Sequence, residues 1–175
     1  MRTLALVGCA LALAAVLGGA VVAAEPSTGT LSIERGRGLV VLELRGSVLG
    51  RLASGTVRVV DTTPRDRFQP IVLGRKLTQE RIGPSQVVYR GFGLRFRLVG
   101  GGYRVVIRGE GLSLSAVGRG SVVLVGDRRL PTDDAGVYSL EADCSEQSEL
   151  CLPLPSTPER YPIRPRQNEG DELTR

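Results

Sequence analysis

Glycine returns every nine residues through the middle of this chain. Gly91, Gly100, Gly109 and Gly118 form one series, and Gly93, Gly102, Gly111 and Gly120 form a second, offset by two. Each unit opens Gly-x-Gly and continues with strand-like residues: GFGLRFRLV, GGGYRVVIR, GEGLSLSAV, GRGSVVLVG. A looser version precedes it at Gly29, Gly38, Gly46 and Gly55, in steps of nine, eight and nine. Glycine makes up 23 of 175 residues, about twice the usual ~7%. Each glycine inside a helix costs about 1 kcal/mol relative to alanine, so long helices are disfavoured.

Between the glycines, apolar residues alternate with period two, the pattern of strands with one buried face. Leu94, Phe96 and Leu98 oppose Arg95 and Arg97; Tyr103, Val105 and Ile107 oppose Arg104 and Arg108; Leu112, Leu114 and Ala116 oppose Ser113 and Ser115. In the first half, Leu31, Ile33, Val40, Leu42, Leu44, Val57 and Val59 form the inner set, and Thr30, Ser32, Glu34 and Glu43 face out. Ser121 to Val125 is apolar on both faces and reads as a central or covered strand.

An odd repeat moves the inward set to the other parity in each unit, as two-residue hairpin loops require. Arg45-Gly46-Ser47, at the step of eight, fits a three-residue loop. The expected fold is all-β: an antiparallel meander of short glycine-turned strands forming a β-sandwich or barrel, with a β-solenoid as the alternative. In texture the chain resembles β-repeat proteins such as bactofilins and bacterial adhesin domains; no diagnostic motif carries the likeness, and no family is assigned.

The flanks differ in character. Residues 1–24 read as a secretory signal: Arg2 supplies the charge, Leu4 to Val22 is uncharged and apolar, and Val22-Ala23-Ala24 suits cleavage before Glu25. An uncleaved anchor and a lipoprotein signal at Cys9 are the alternatives. The β domain is expected over 25–126, with a proline-bearing linker within 62–84 that includes a short strand from Ile71 to Leu73. A β/loop extension follows over 127–152, with one more strand between Gly136 and Leu140. A proline-rich, acidic, disordered tail is expected over 153–175. Cys144 and Cys151, an even pair in an exported chain, are expected to form a disulfide.

Charge divides along the chain, net +9 from Glu25 to Gly126 and net −5 from Asp127 to Arg175. With no histidine in the sequence, Ser-His-Asp and Cys-His catalysis and imidazole metal ligation are excluded. The nonapeptide rhythm invites comparison with calcium-binding β-rolls, but no aspartate occurs between Asp66 and Asp127 to supply carboxylate ligands. Arg90 to Phe96 matches the start of an RNA-binding motif and then departs at Leu94 and Arg95; the expected role is a glycine turn, and no nucleic-acid partner is expected. Asp61-Thr62-Thr63 lacks the glycine of an aspartic-protease signature and has no second copy, so Asp61 is expected to cap a turn before Pro64.

The best candidate site is the arginine face. In a meander with its loop at Gly100 and Gly101, Arg97 lies opposite Arg104, with Arg95 and Arg108 nearby. Like charges opposite one another destabilise a sheet, so relief must come from water and salt, from the acidic tail, or from an external anion. Guanidinium groups suit phosphate and carboxylate. The functional expectation is therefore an exported, non-enzymatic structural or binding module of the cell envelope, without cofactor or metal. Its partner would be an anionic polymer or lipid, with membrane insertion only if the signal stays uncleaved. Self-assembly through strand edges and a carboxylate-based secreted hydrolase are the competing expectations.

Overall fold

The computed structural model describes residues 29–64 and 69–164. The signal region, Cys9 and the last part of the expected tail lie outside the described residues. Six strands follow in chain order: β1 (Gly29–Asp61), β2 (Ile71–Arg81), β3 (Gln86–Gly126), β4 (Val137–Ser139), β5 (Leu152–Pro153) and β6 (Glu159–Ile163). Two short 3-10 turns, Thr132–Ala135 and Ser148–Leu150, complete the described elements, and no α-helix occurs among them. The sheet is antiparallel and does not close into a barrel.

The all-β, antiparallel expectation holds, but the glycines do not make hairpin loops. β1 and β3 run through them unbroken, and each half of the chain pairs with the other half. Leu42 bonds to Val105 on one side and to Val122 on the other, and Val105 in turn bonds to Val59. A ribbon whose residues have partners 17 apart (Val105 and Val122, Leu42 and Val59) must coil on itself. The pairings fall into two layers. One contains residues 71–73, 94–98, 47–52, 112–117, 30–33, 137–139 and 152–153 in spatial order. The other contains 78–81, 86–90, 56–60, 103–108, 39–45, 119–125 and 159–163. Both layers bury their alternating residues in one core, as in a sandwich whose strands bend from one layer into the next.

The glycines sit at those bends, in two registered rows. Gly29, Gly118, Gly46 and Gly101 pair in succession along one row, and Gly126, Gly38, Gly109, Gly55 and Gly91 along the other. Backbones approach too closely there for a side chain. A Cβ on Gly38 would run into the Val125 carbonyl, and one on Gly55 into the Arg108 carbonyl. Both also adopt positive φ, 144° and 143°, which L-residues avoid. At Gly100 (φ 78°) β3 carries an extra residue, since the pairing Gly46↔Gly101 is followed by Val48↔Leu98. This β-bulge performs the parity switch that the repeat implied, without a turn. Likewise Arg45-Gly46-Ser47 is continuous strand rather than a loop.

The inner sets are those read from the alternation. Leu31, Ile33, Val40, Leu42, Leu44, Val57, Val59, Leu94, Phe96, Leu98, Tyr103, Val105, Ile107, Leu112, Leu114 and Ala116 are all buried in one cluster. Gly50 lies half-buried beside this cluster, and the Phe96 ring occupies the space a Cβ at position 50 would need. Val122 and Leu124 face the core, while Val123 and Val125 are half-buried.

Two segments are more ordered than expected. The region read as a linker contains β2, an eleven-residue strand on the sheet edge. Its polar sequence hides it, because an edge strand buries only one side; Val72 and Leu77 pack against the core. Tail residues 153–164 are likewise placed: β5 pairs with β4, and β6 pairs with β3 from Gly120 to Leu124. The prolines there fall on edge strands, where a missing N–H costs no ladder bond. Cys144 and Cys151 are disulfide-bonded, as expected. The Asp61 turn also forms, its carboxylate accepting from the Thr63 N–H at 2.8 Å.

Candidate functional site: an arginine cleft at a glycine corner

The bends separate the four candidate arginines. Arg95 and Arg97 lie on the outer face of one layer, Arg104 and Arg108 on the outer face of the other, and all four are exposed. Arg97 is not opposite Arg104. It pairs with Leu49 and Ile71, whereas Arg104 pairs with Glu43 and Val60. The expected juxtaposition needed a turn at Gly100-Gly101, and the chain instead continues into the second layer. Arg104 forms an ion pair with Glu43 at 3.4 Å. Like charges do stand directly opposite one another at Arg95 and Arg51, and at Arg45 and Arg119.

Arg108 has a different setting. It adjoins Gly109 in the second glycine row, and the register of that row brings other arginines to the same corner. A cleft of about 690 Å³ opens there, lined by Arg37, Arg108, Arg128 and Arg129 together with Glu110 and Asp127. Its floor is glycine backbone at positions 38, 55, 109 and 126. The corner is braced by main-chain bonds: the Asp127 N–H donates to the Arg37 carbonyl at 2.8 Å, and the Gly126 N–H to the Pro155 carbonyl at 2.7 Å.

Both carboxylates of the cleft are already engaged. Glu110 pairs with Arg37 at 3.4 Å and accepts from the Ser54 hydroxyl at 3.0 Å. Asp127 takes a forked contact from Arg129, with Nε at 3.0 Å and Nη2 at 2.8 Å. Those bonds, with a further one from the Arg129 N–H, hold the Asp127 carboxyl down to about 2. Arg128 donates from Nε to the Ser156 carbonyl at 3.0 Å. Among the described residues, no carboxylate pairs with Arg108 or Arg128. Four guanidinium groups thus face two carboxylates, and both acids are spent on Arg37 and Arg129. Guanidinium groups suit planar and tetrahedral oxyanions, and Arg108 and Arg128 are the two at this cleft that no described carboxylate neutralises.

Arg37, Arg128 and Arg129 escaped the sequence reading, although a signal for Arg37 was present. Arg37 precedes Gly38 as Arg108 precedes Gly109, so setting the repeat units one above another places these two arginines in the same column. Arg128 and Arg129 follow Gly126, the last glycine of the row, just beyond the repeat, where no pattern in the sequence ties them to it. Elsewhere, among the described residues, no three Cys, Asp or Glu gather as metal ligands. No helix among them is long and apolar enough to cross a membrane. Comparison with known proteins returned no matching family, no matching curated protein and no matching solved structure.

Proposed function

We propose that this protein is an exported, non-catalytic binding module of the cell envelope, which grips an anionic polymer in the corner cleft through Arg108 and Arg128. The observation that carries this reading is the Arg108 guanidinium, with no carboxylate partner among the described residues, in a cleft whose two acids are each committed to another arginine. The basic body of the chain supports it by attracting polyanions over a longer range. The Cys144–Cys151 disulfide is in keeping with an oxidising compartment outside the cytosol. The rigid sheet bends on which the cleft is built suit binding of a preformed site rather than closure around a small substrate.

The test is titration of the full chain with a soluble polyanion such as dextran sulfate, at several salt concentrations, beside Arg108→Ser and Arg108→Ser/Arg128→Ser. Loss of one charge-assisted contact is worth about 1.5–3 kcal/mol, so each substitution is expected to weaken binding about tenfold or more, with a shallower salt dependence. Unchanged affinity in the double variant would end this proposal. A second reading, self-assembly, rests on the open outer edge of β2, where Ile71 and Leu73 are exposed. Its test is molar mass against concentration by light scattering, with Leu73→Lys expected to abolish any growth.

A further inference from the structure

The other layer carries a surface the cleft does not explain. Two registered rows cross its outer face at the β2 edge. One runs Ile71, Arg97, Leu49, and the next runs Leu73, Arg95, Arg51, each residue directly paired with its neighbour. Side chains inward of these rows are the core residues Val48, Leu52, Leu94, Phe96 and Leu98, so all six named residues point outward. The aliphatic members are strongly exposed, Leu49 at 50%, Ile71 at 54% and Leu73 at 63%. Strands lie about 4.8 Å apart and alternate residues about 7 Å apart, so every guanidinium has an aliphatic side chain as its immediate neighbour. Among the described residues, Arg95 and Arg97 have no ion-pair partner, and Arg51 reaches only Glu34, at 3.9 Å. Phe92, further along β3, is also exposed, at 51%.

We propose that this face rests on an anionic lipid surface, with Ile71, Leu73 and Leu49 entering the headgroup boundary and Arg51, Arg95 and Arg97 meeting the phosphates. The mixture selects this occupant. A soluble polyanion would satisfy the arginines and leave three large aliphatic side chains in water. A protein partner would have to set an acid against each of Arg95 and Arg97, which stand on the middle strand of the patch, because an unpaired charge at the dry centre of a protein contact is costly. A lipid interface takes both kinds at once, because long basic side chains reach for the headgroups while aliphatic ones settle below them. The face lies on the opposite layer from Arg108, so a surface-bound molecule would still present the outer side of its second layer to the solvent.

The experiment is co-sedimentation of the full chain with vesicles of phosphatidylglycerol and phosphatidylcholine, and with phosphatidylcholine alone, at low and physiological salt. Ile71→Ser/Leu73→Ser, Arg95→Ser/Arg97→Ser and Arg108→Ser are compared, with thermal melts confirming that each variant is folded. Binding to the anionic vesicles is expected, about tenfold or more weaker in each of the two paired variants and unchanged in Arg108→Ser. Binding that ignores the loss of Ile71 and Leu73, equal binding to neutral vesicles, or no binding to anionic vesicles would each overturn the inference. If dextran sulfate binding, not vesicle binding, falls in Arg95→Ser/Arg97→Ser, the face belongs to a soluble polymer and the inference also fails. The cleft reading is independent of all these results, since Arg108→Ser and dextran sulfate test it separately.

Discussion

Alanine at Gly55 is the sharpest test of how the strands bend. Gly55 is paired on both sides, to Gly91 and to Gly109. Its φ of 143° lies where L-residues are rarely found, at a cost of about 1–3 kcal/mol. Its new Cβ would also strike the Arg108 carbonyl oxygen and come within 2.8 Å of the Gly109 Cα and 3.0 Å of Leu52 Cδ2. These atoms are backbone or buried core, and the ladder bonds on both sides prevent Gly55 from moving away. The combined loss is about 3 kcal/mol or more, only slightly offset by the ~0.4–1 kcal/mol that Gly→Ala gains by restricting the unfolded chain. For a domain of this size, 1 kcal/mol moves the midpoint by about 2–4 °C, so the melt should fall by about 6–12 °C. Two controls calibrate the result. Gly93 shares the positive φ, at 55°, but a Cβ there meets only Arg75 Nε, at 3.8 Å, so Gly93→Ala should cost about 1 kcal/mol or less. Gly83 has nothing within 4 Å of such a Cβ, and Gly83→Ala should be neutral or slightly stabilising. Differential scanning calorimetry of the three variants checks the order. If Gly55→Ala melts within about 2 °C of the parent, close backbone approach is not what the glycine rows provide, and the bent-strand account fails.

Gly50→Ala should be destabilising because the Phe96 ring fills that space, and Phe96→Leu in the same chain should recover part of the loss, as urea unfolding of the double-mutant cycle would read. Replacing Cys144 and Cys151 by serine opens a loop of sequence separation 7, and the chain-entropy relation puts the loss at about 2.5 kcal/mol, measurable as a lower urea midpoint. The Asp127 carboxyl titrates at about 2 in the folded protein against an ordinary 3.8. A lowered folded value means that its stabilisation is complete above about pH 4 and is lost as pH falls toward 2, and Asp127→Asn should flatten that part of the stability profile. Arg104→Ser breaks only an exposed pair with Glu43, so its unfolding free energy should change by less than about 1 kcal/mol.

The local pattern of the chain was enough to sort its side chains. In a strand the side chains alternate with period two, whatever the strand pairs with, so Leu94, Phe96 and Leu98 read as inward and Arg95 and Arg97 as outward without knowledge of their neighbours. The disulfide and the Asp61 turn were legible for the same reason, since each is settled within a few residues. Pairing is not local. A nine-residue glycine step is compatible with a hairpin and equally with a bend in a continuous strand, because a bulge at the bend, as at Gly100, reverses the inward parity just as a hairpin does. The choice rests on what lies across the ladder from each glycine, here another glycine from the distant half of the chain. That choice moved Arg97 away from Arg104, gathered Arg37, Arg108, Arg128 and Arg129 around one corner, and set Ile71 and Leu73 beside Arg97 and Arg95. β2 and β6 were hidden likewise, because edge strands are stabilised by the ladder they join more than by an alternation of their own. Which residues face the core was thus written along the chain, while the sites formed where the coiled ribbon brought its two halves into register.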